Sequence, residues 1–286
     1  MKPAPFEYRR ASTVEETLSH LGEFGDEAKI LAGGQSLVPL LSFRLARPTC
    51  LIDVNPVRSL RYIQRNGPLH IGALTRHRAL EDDPAAKEVS LLAEAVPLIG
   101  HPAIRNRGTV GGSLSHADPS AELPVIVVAL GSTLFAAGPG GTREIPAAAF
   151  FTDYFETALS PLEMLVEVVI PFPDAGWGWS FQEMSRRFGD FAVVCVAAGL
   201  RMDECGVCAD ARLVAGGIGP SPVPLTEAEE FLRGNPPNPG SFREAGRIAA
   251  ESVRPPSDVH ATAEFRKHLT GVLVERGLTA ARQRIP

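Results

Sequence analysis

The sequence predicts an α+β protein in two parts, and three observations carry that reading. Short helical and strand-like runs alternate irregularly up to residue 170, Pro171-Phe-Pro-Asp-Ala-Gly176 then breaks the pattern, and three strand-like runs followed by two helical ones complete the chain. The expected boundary lies between residues 175 and 176, giving parts 1–175 and 176–286.

Thr13 and Glu16 have capping-box spacing, and Val14, Leu18 and Leu21 share one helical face, so an amphipathic helix is expected near the start. A strand at 29–32 stops at Gly33-Gly34, and strand-like runs recur at 51–54 and 69–73. A helix should follow Asp83-Pro84, where the aspartate caps and the proline fits the first turn. Between Pro124 and Val169 the apolar runs at 125–130, 133–137 and 164–170 are short and interrupted by Gly or Pro, and all three read as strands of a meander. Beyond the boundary, runs at 177–185, 191–202 and 209–216 predict a three-stranded antiparallel sheet. Helices at 241–253 and 261–276 follow, on either side of Pro255-Pro256.

Gly and Pro, at 27 and 25 residues of 286, make up about 18% of the chain, which implies many turns. That is above the roughly 12% of average usage yet short of the ~25–30% of disordered chains. Lys and Arg number 28 against 33 Asp and Glu, a net charge of −5, so no overall positive field favours nucleic acid. The amino terminus MKPAPFEYRRAS lacks a signal-peptide core, and the run at 125–130 is far below the ~20 apolar residues of a membrane helix. A cytoplasmic protein without an integral membrane segment is expected.

Four cysteines are too few for a disulfide framework in a chain of this length. Cys50 and Cys195 lie in apolar runs and read as core residues. Cys205-Gly-Val-Cys208 has CxxC spacing but no second pair, and it reads as a hairpin tip rather than a metal or redox site.

The most informative local features are Ala32-Gly33-Gly34-Gln35-Ser36, directly after a strand, and Arg107-Gly108-Thr109-Val110-Gly111-Gly112-Ser113. Glycine admits positive φ and lets a ligand approach backbone N–H groups without meeting a Cβ, and successive N–H groups then form an anion-binding concavity. The Ser and Thr hydroxyls add donors. Neither segment matches the dinucleotide G-x-G-x-x-G or the G-x-x-x-x-G-K-[ST] loop, and Gly216-Gly-Ile-Gly219 is followed by a proline that obstructs a helix. From the residues alone, a pair of tight turns and a diphosphate cradle both stay open.

Four motifs in this order, AGGQSLVPLL (32–41), IGALT (71–75), RNRGTVGGSLSHADPSAELP (105–124) and RRFGDFA (186–192), resemble the medium, FAD-binding subunit of molybdenum hydroxylases of the carbon monoxide dehydrogenase, xanthine dehydrogenase and quinoline oxidoreductase type. The resemblance covers nearly the whole chain. It implies a two-part FAD-binding domain of the vanillyl-alcohol-oxidase (PCMH) type, followed by a small α+β domain of the CO dehydrogenase flavoprotein type. It also implies noncovalent FAD that takes electrons from two [2Fe–2S] clusters in a small partner subunit, while a large partner subunit holds the molybdenum cofactor. The expected assembly is a dimer of heterotrimers, with NAD, a quinone or another carrier as the acceptor. The Ser113–Asp118 variant is closer to the members that oxidise N-heterocycles than to those that oxidise carbon monoxide.

Carried over residue by residue, Ile30, Leu31, Ala32, Gly33, Gly34, Gln35, Ser36 and Leu37 would wrap the diphosphate and ribityl chain, and Thr109, Gly111, Gly112 and Ser113 would form the facing loop. Ser113 stands where relatives often have Asn. Glu122 falls at the position of an acidic residue that meets a ribose hydroxyl, Ile99 and Leu165 would add apolar contacts, and Phe191 would lie against the isoalloxazine where relatives often have Tyr. Arg105 and Arg107 read either as counter-charges for a phosphate or as solvated or interface residues. His77, His101 and His116 read as structural. Asp53 reads as fixing a loop and Asp190 as a turn residue. The alternatives are a self-contained flavin oxidase or reductase and a scaffold subunit without an electron role.

Overall fold

The computed structural model describes residues 2–172 and 175–285. Pro173 and Asp174, inside the predicted boundary run, lie outside the described residues. The first strand, β1 (Glu7–Arg10), leads into α1 (Val14–Phe24), whose start is capped as expected: Thr13 Oγ1 accepts the Glu16 N–H at 3.1 Å, and the Glu16 carboxylate accepts the Ser12 N–H at 2.6 Å. There follow β2 (Ala28–Leu31), α2 (Leu37–Ser42) and β3 (Cys50–Asp53). The three strands form a parallel sheet in the order β1-β3-β2.

The chain continues through β4 (Ile63–Arg65), β5 (Leu69–Gly72), α3 (His77–Asp82), α4 (Pro84–Lys87), α5 (Ser90–Ala95), α6 (Pro102–Arg105), α7 (Val110–His116) and α8 (Glu122–Ala129). Asp83 caps α4 as its sequence implied, accepting the Ala86 N–H at 3.0 Å. Then come β6 (Thr133–Gly138), β7 (Gly141–Pro146), α9 (Ala147–Phe150), β8 (Phe151–Asp153), β9 (Glu156–Thr157) and β10 (Met164–Ile170). Strands β4-β5-β10-β6-β7 make an antiparallel sheet in that order.

The expected strand at 125–130 is instead most of helix α8. Glu122 to Val127 and Ala129 are all buried, so the helix has no polar face and therefore no 3.6-residue periodicity to betray it. Pro124 sits in its first turn, where a missing N–H is tolerated.

The remaining strands are β11 (Trp177–Ser185), β12 (Ala192–Met202), β13 (Cys208–Gly216) and β14 (Val223–Pro224). They make a four-stranded antiparallel sheet, one strand more than expected, because the two-residue β14 lies in a proline-rich run that carries no strand pattern. Helices α10 (Thr226–Leu232), α11 (Pro239–Ser252) and α12 (Ala263–Gln283) follow. Gly277 does not end α12; a Cβ there would stand 2.9 Å from the Ala198 Cβ, so the glycine lets the helix lie close on β12. Helices α5 and α8 also pack against this sheet, and Trp179, Phe181 and Cys195 share one apolar core with Leu91, Val125 and Ile126. The fold is α+β throughout.

Candidate cofactor site

The two glycine segments, more than seventy residues apart, meet. A Cβ on Gly33 would lie 2.4 Å from the Arg107 carbonyl oxygen and 2.9 Å from the Gly108 Cα, and one on Gly112 would lie 3.9 Å from the Ala32 Cβ. Three β5-side contacts hold the second segment in place: Val110 N donates to Thr75 O at 2.9 Å, Gly111 N to Ala73 O at 2.8 Å, and His77 N to Gly108 O at 3.1 Å. The glycines therefore serve a purpose the motif did not reveal. Gly33 and Gly111 let backbone touch backbone, Gly111 at 2.8 Å from Ala73 O by the same construction, whereas Gly34 supplies a left-handed turn at φ +75°.

Accounting for the N–H groups separates the segments. In the second, Val110 and Gly111 donate to β5-side carbonyls, Gly112 N donates to Thr109 Oγ1 at 3.1 Å, and Ser113 N donates to Thr109 O at 3.0 Å. This stretch is the capped first turn of α7 rather than a loop. In the first segment, no group among the described residues accepts from the N–H groups of Gly34, Gln35, Ser36 or Leu37. Four successive donors thus stand open beside a wall formed by the second segment, and the Ser36 and Ser113 hydroxyls have no partner among the described residues.

The other expected site residues are placed as follows. Ile30 and Leu31 end β2, half-buried, with Leu31 O accepting from Val54 N at 3.1 Å. Ile99 and Leu165 are buried in the main core. Phe191 is 59% exposed just before β12, and Phe188, two residues from the Asp190 turn, is 65% exposed with its ring 6.1 Å from that of His101. Gly189, at φ +83°, lies against His101, so the 186–191 turn reaches from the last sheet to the start of α6. Glu122 is 3% exposed at the start of α8. Burial, with Glu183 on β11 and Asp118 adding like charge, pushes its carboxyl up to about 8, and burial pushes Glu183 to about 7. Glu122 therefore sits in the seam between α8 and the last sheet as a carboxyl that favours its protonated form.

Arg105 is neither a counter-charge nor a solvated residue. Its guanidinium is buried, bonded to Glu81 Oε2 at 2.8 Å and to Gly100 O at 2.8 Å. His77 is buried beneath Gly108 with no hydrogen-bond partner for either ring nitrogen among the described residues, and burial, with Arg105 and Arg76 nearby, pushes its pKa down to about 4. The hairpin-tip reading of the CxxC run holds. Asp203 Oδ1 accepts the Cys205 and Val207 N–H groups at 2.9 and 3.1 Å, and Cys208 is buried. Sequence reasoning missed Asn55 and Arg76, which bond to both segments. The only prior signal was Asn55 two residues after the loop-fixing Asp53.

Residues 4–173 match the family model described as the FAD binding domain in molybdopterin dehydrogenase, and residues 179–281 match that of the CO dehydrogenase flavoprotein C-terminal domain. The chain belongs to this flavoprotein family. The flavoprotein is 41% identical to the 6-hydroxypseudooxynicotine dehydrogenase complex subunit alpha of Paenarthrobacter nicotinovorans, over 99% of this chain and 97% of that one. Its fold superposes on carbon monoxide dehydrogenase from Hydrogenophaga pseudoflava with a TM-score of 0.96 at 34% identity, covering 100% of both chains. Against quinoline 2-oxidoreductase from Pseudomonas putida 86 the TM-score is 0.94 at 38% identity, covering 99% of both. The flavoprotein is an FAD-binding medium subunit of a molybdenum hydroxylase complex, an oxidoreductase component. The site fits that cofactor, because a run of open N–H donors bounded by close-packed backbone is what an extended diphosphate requires.

Proposed function

We propose that this chain takes electrons from the [2Fe–2S] clusters of a small partner subunit and delivers them through FAD to an external acceptor, while a large molybdenum-cofactor subunit oxidises the substrate. The observation that carries the reading is the open N–H run from Gly34 to Leu37 in a chain similar over its full length to medium chains of such complexes. Bound FAD supplies the redox chemistry, accepting electrons singly and releasing them singly or in pairs.

The protein's own residues bind and orient. The backbone of Ile30–Leu37 would hold the diphosphate and ribityl chain, with Gly34 at φ +75° turning the open N–H groups toward them. Thr109, Gly111, Gly112 and Ser113 would form the opposing wall, to which the Ser113 hydroxyl adds a donor. Glu122, held mostly protonated at neutral pH by its burial, is suited to hydrogen-bond a ribose hydroxyl in the seam. The buried Ile99 and Leu165 would add apolar contacts to the cofactor, and the exposed Phe191 would lie against its isoalloxazine. The division of labour follows the division of the chain at 175/176, supported by matched segments that end at 173 and resume at 179. The complex is a cytoplasmic dimer of heterotrimers. Its substrate is an N-heterocycle, a reading supported by relatives named for nicotine, caffeine and quinoline.

The test is anaerobic rapid mixing. The FAD-loaded chain is mixed with the chemically reduced iron–sulfur subunit, and flavin absorbance is followed. Bleaching at a rate that depends on that partner is expected. Turnover of an organic substrate by the chain alone would overturn the proposal in favour of a self-contained oxidase.

A further inference from the structure

Asn55 and Arg76, which lie outside both glycine motifs, join the two segments. Asn55 Nδ2 donates to Ala32 O at 2.8 Å, and Asn55 Oδ1 accepts from Arg76 Nη2 at 2.6 Å. Arg76 Nη1 then donates to the carbonyl of Arg107, the same oxygen against which Gly33 leaves out its Cβ, and the Arg76 backbone bridges Thr109. An unbroken polar path therefore runs from the open N–H segment to its wall. Asp53 anchors it, accepting the Asn55 N–H at 2.9 Å, Asn55 Nδ2 at 2.6 Å and the Tyr8 hydroxyl at 2.5 Å.

The charges along this path do not balance. Arg61 also donates to the Asn55 carbonyl, so Arg61, Arg76 and Arg107 converge with Asp53 as the acidic neighbour. Half-burial and the two neighbouring guanidiniums hold Arg76 below its ordinary value. Arg61, Arg76 and Arg107, with Arg10 also beside Asp53, outnumber that carboxylate and leave a positive excess at the rim of the open N–H run. A dianionic diphosphate meets it in sign.

We propose that Arg76 is a positioning residue for the flavin diphosphate: with Asn55 it sets the gap between the two glycine segments, and with Arg61 and Arg107 it supplies the counter-charge. This rests on the reading that the diphosphate lies at Gly34–Leu37. A guanidinium suits the task because its rigid planar fork holds two separated acceptors in a fixed geometry, whereas an ammonium is a freely rotating point charge.

The experiment titrates flavin-free chain with FAD and with riboflavin, which has the ring system and no phosphate, by flavin fluorescence at low and high salt. Arg76→Met is expected to weaken FAD about tenfold, leave riboflavin nearly unchanged, and flatten the salt dependence of FAD binding. Arg76→Lys keeps the charge but not the fork, so it should recover the salt dependence without the full affinity. The double variant Arg61→Gln/Arg107→Gln alters two exposed side chains, carries little risk to folding, and should also flatten the salt dependence. Unchanged FAD affinity and salt dependence in these variants, with FAD lost in Gly34→Val, would overturn the inference while leaving the site in place. Wild-type FAD binding by Gly34→Val would overturn the site assignment and the inference with it.

Discussion

The two glycine segments share a composition, paired glycines with a neighbouring hydroxyl, yet they do opposite things with their backbones. From Gly34 to Leu37 the N–H groups are open, and only Gly34 needs its glycine for a left-handed φ. From Val110 to Ser113 every N–H is engaged within the chain, and Gly111 is there to let α7 start against β5. One segment is a donor surface and the other a scaffold. Composition alone does not separate a ligand cradle from a packing contact; the hydrogen-bond inventory does.

The comparison breaks most sharply at Gly33, where the two meet. Gly33→Val puts a branched side chain where even a Cβ would stand 2.4 Å from a backbone oxygen. A loss of about 3 kcal/mol or more in stability, together with loss of flavin, is expected by urea denaturation and flavin content. Acid should loosen the scaffold by a similar amount. His77, buried beneath Gly108, has a pKa lowered from 6.5 to about 4, so its contribution to stability is present above pH 6.5 and is lost as pH falls toward 4. That amounts to about 3 kcal/mol, and His77→Gln should flatten this limb of the pH–stability curve.

The seam behaves with the opposite sign. Folding raises the Glu122 pKa from 4.5 to about 8, so its contribution is intact below pH 4.5 and is lost as pH rises toward 8. In flavin-free chain Glu122→Gln should therefore stabilise by about 4 kcal/mol at pH 8 and by almost nothing at pH 4.5, read as the shift in urea midpoint. The smallest effect is expected for Thr109→Ala, which removes the α7 cap at a cost of about 1 kcal/mol. It should disturb the wall while leaving the Gly34–Leu37 donors intact, so flavin affinity should fall less than it does for any change at Gly34.

Much of this was legible from the sequence. Capping residues placed α1 and α4, Gly33-Gly34 marked the end of β2, and four ordered motifs pointed to the flavoprotein family. What stayed hidden did so for physical reasons. Helix α8 is enclosed on all sides and so has no polar face to give it a period. Arg105 read either as a phosphate counter-charge or as a solvated residue, because its actual partner, Glu81, lies twenty-four residues away in sequence. The Asn55–Arg76 link depends on side chains from separate turns that converge only in the folded chain.

Hydrogen–deuterium exchange of the chain with and without FAD tests the central asymmetry most directly. The amides of Gly34, Gln35, Ser36 and Leu37 should exchange fast without flavin and become protected on its addition, while those of Val110–Ser113 should be slow in both states. Protection that appears on FAD addition at 110–113 and not at 34–37 would contradict the account.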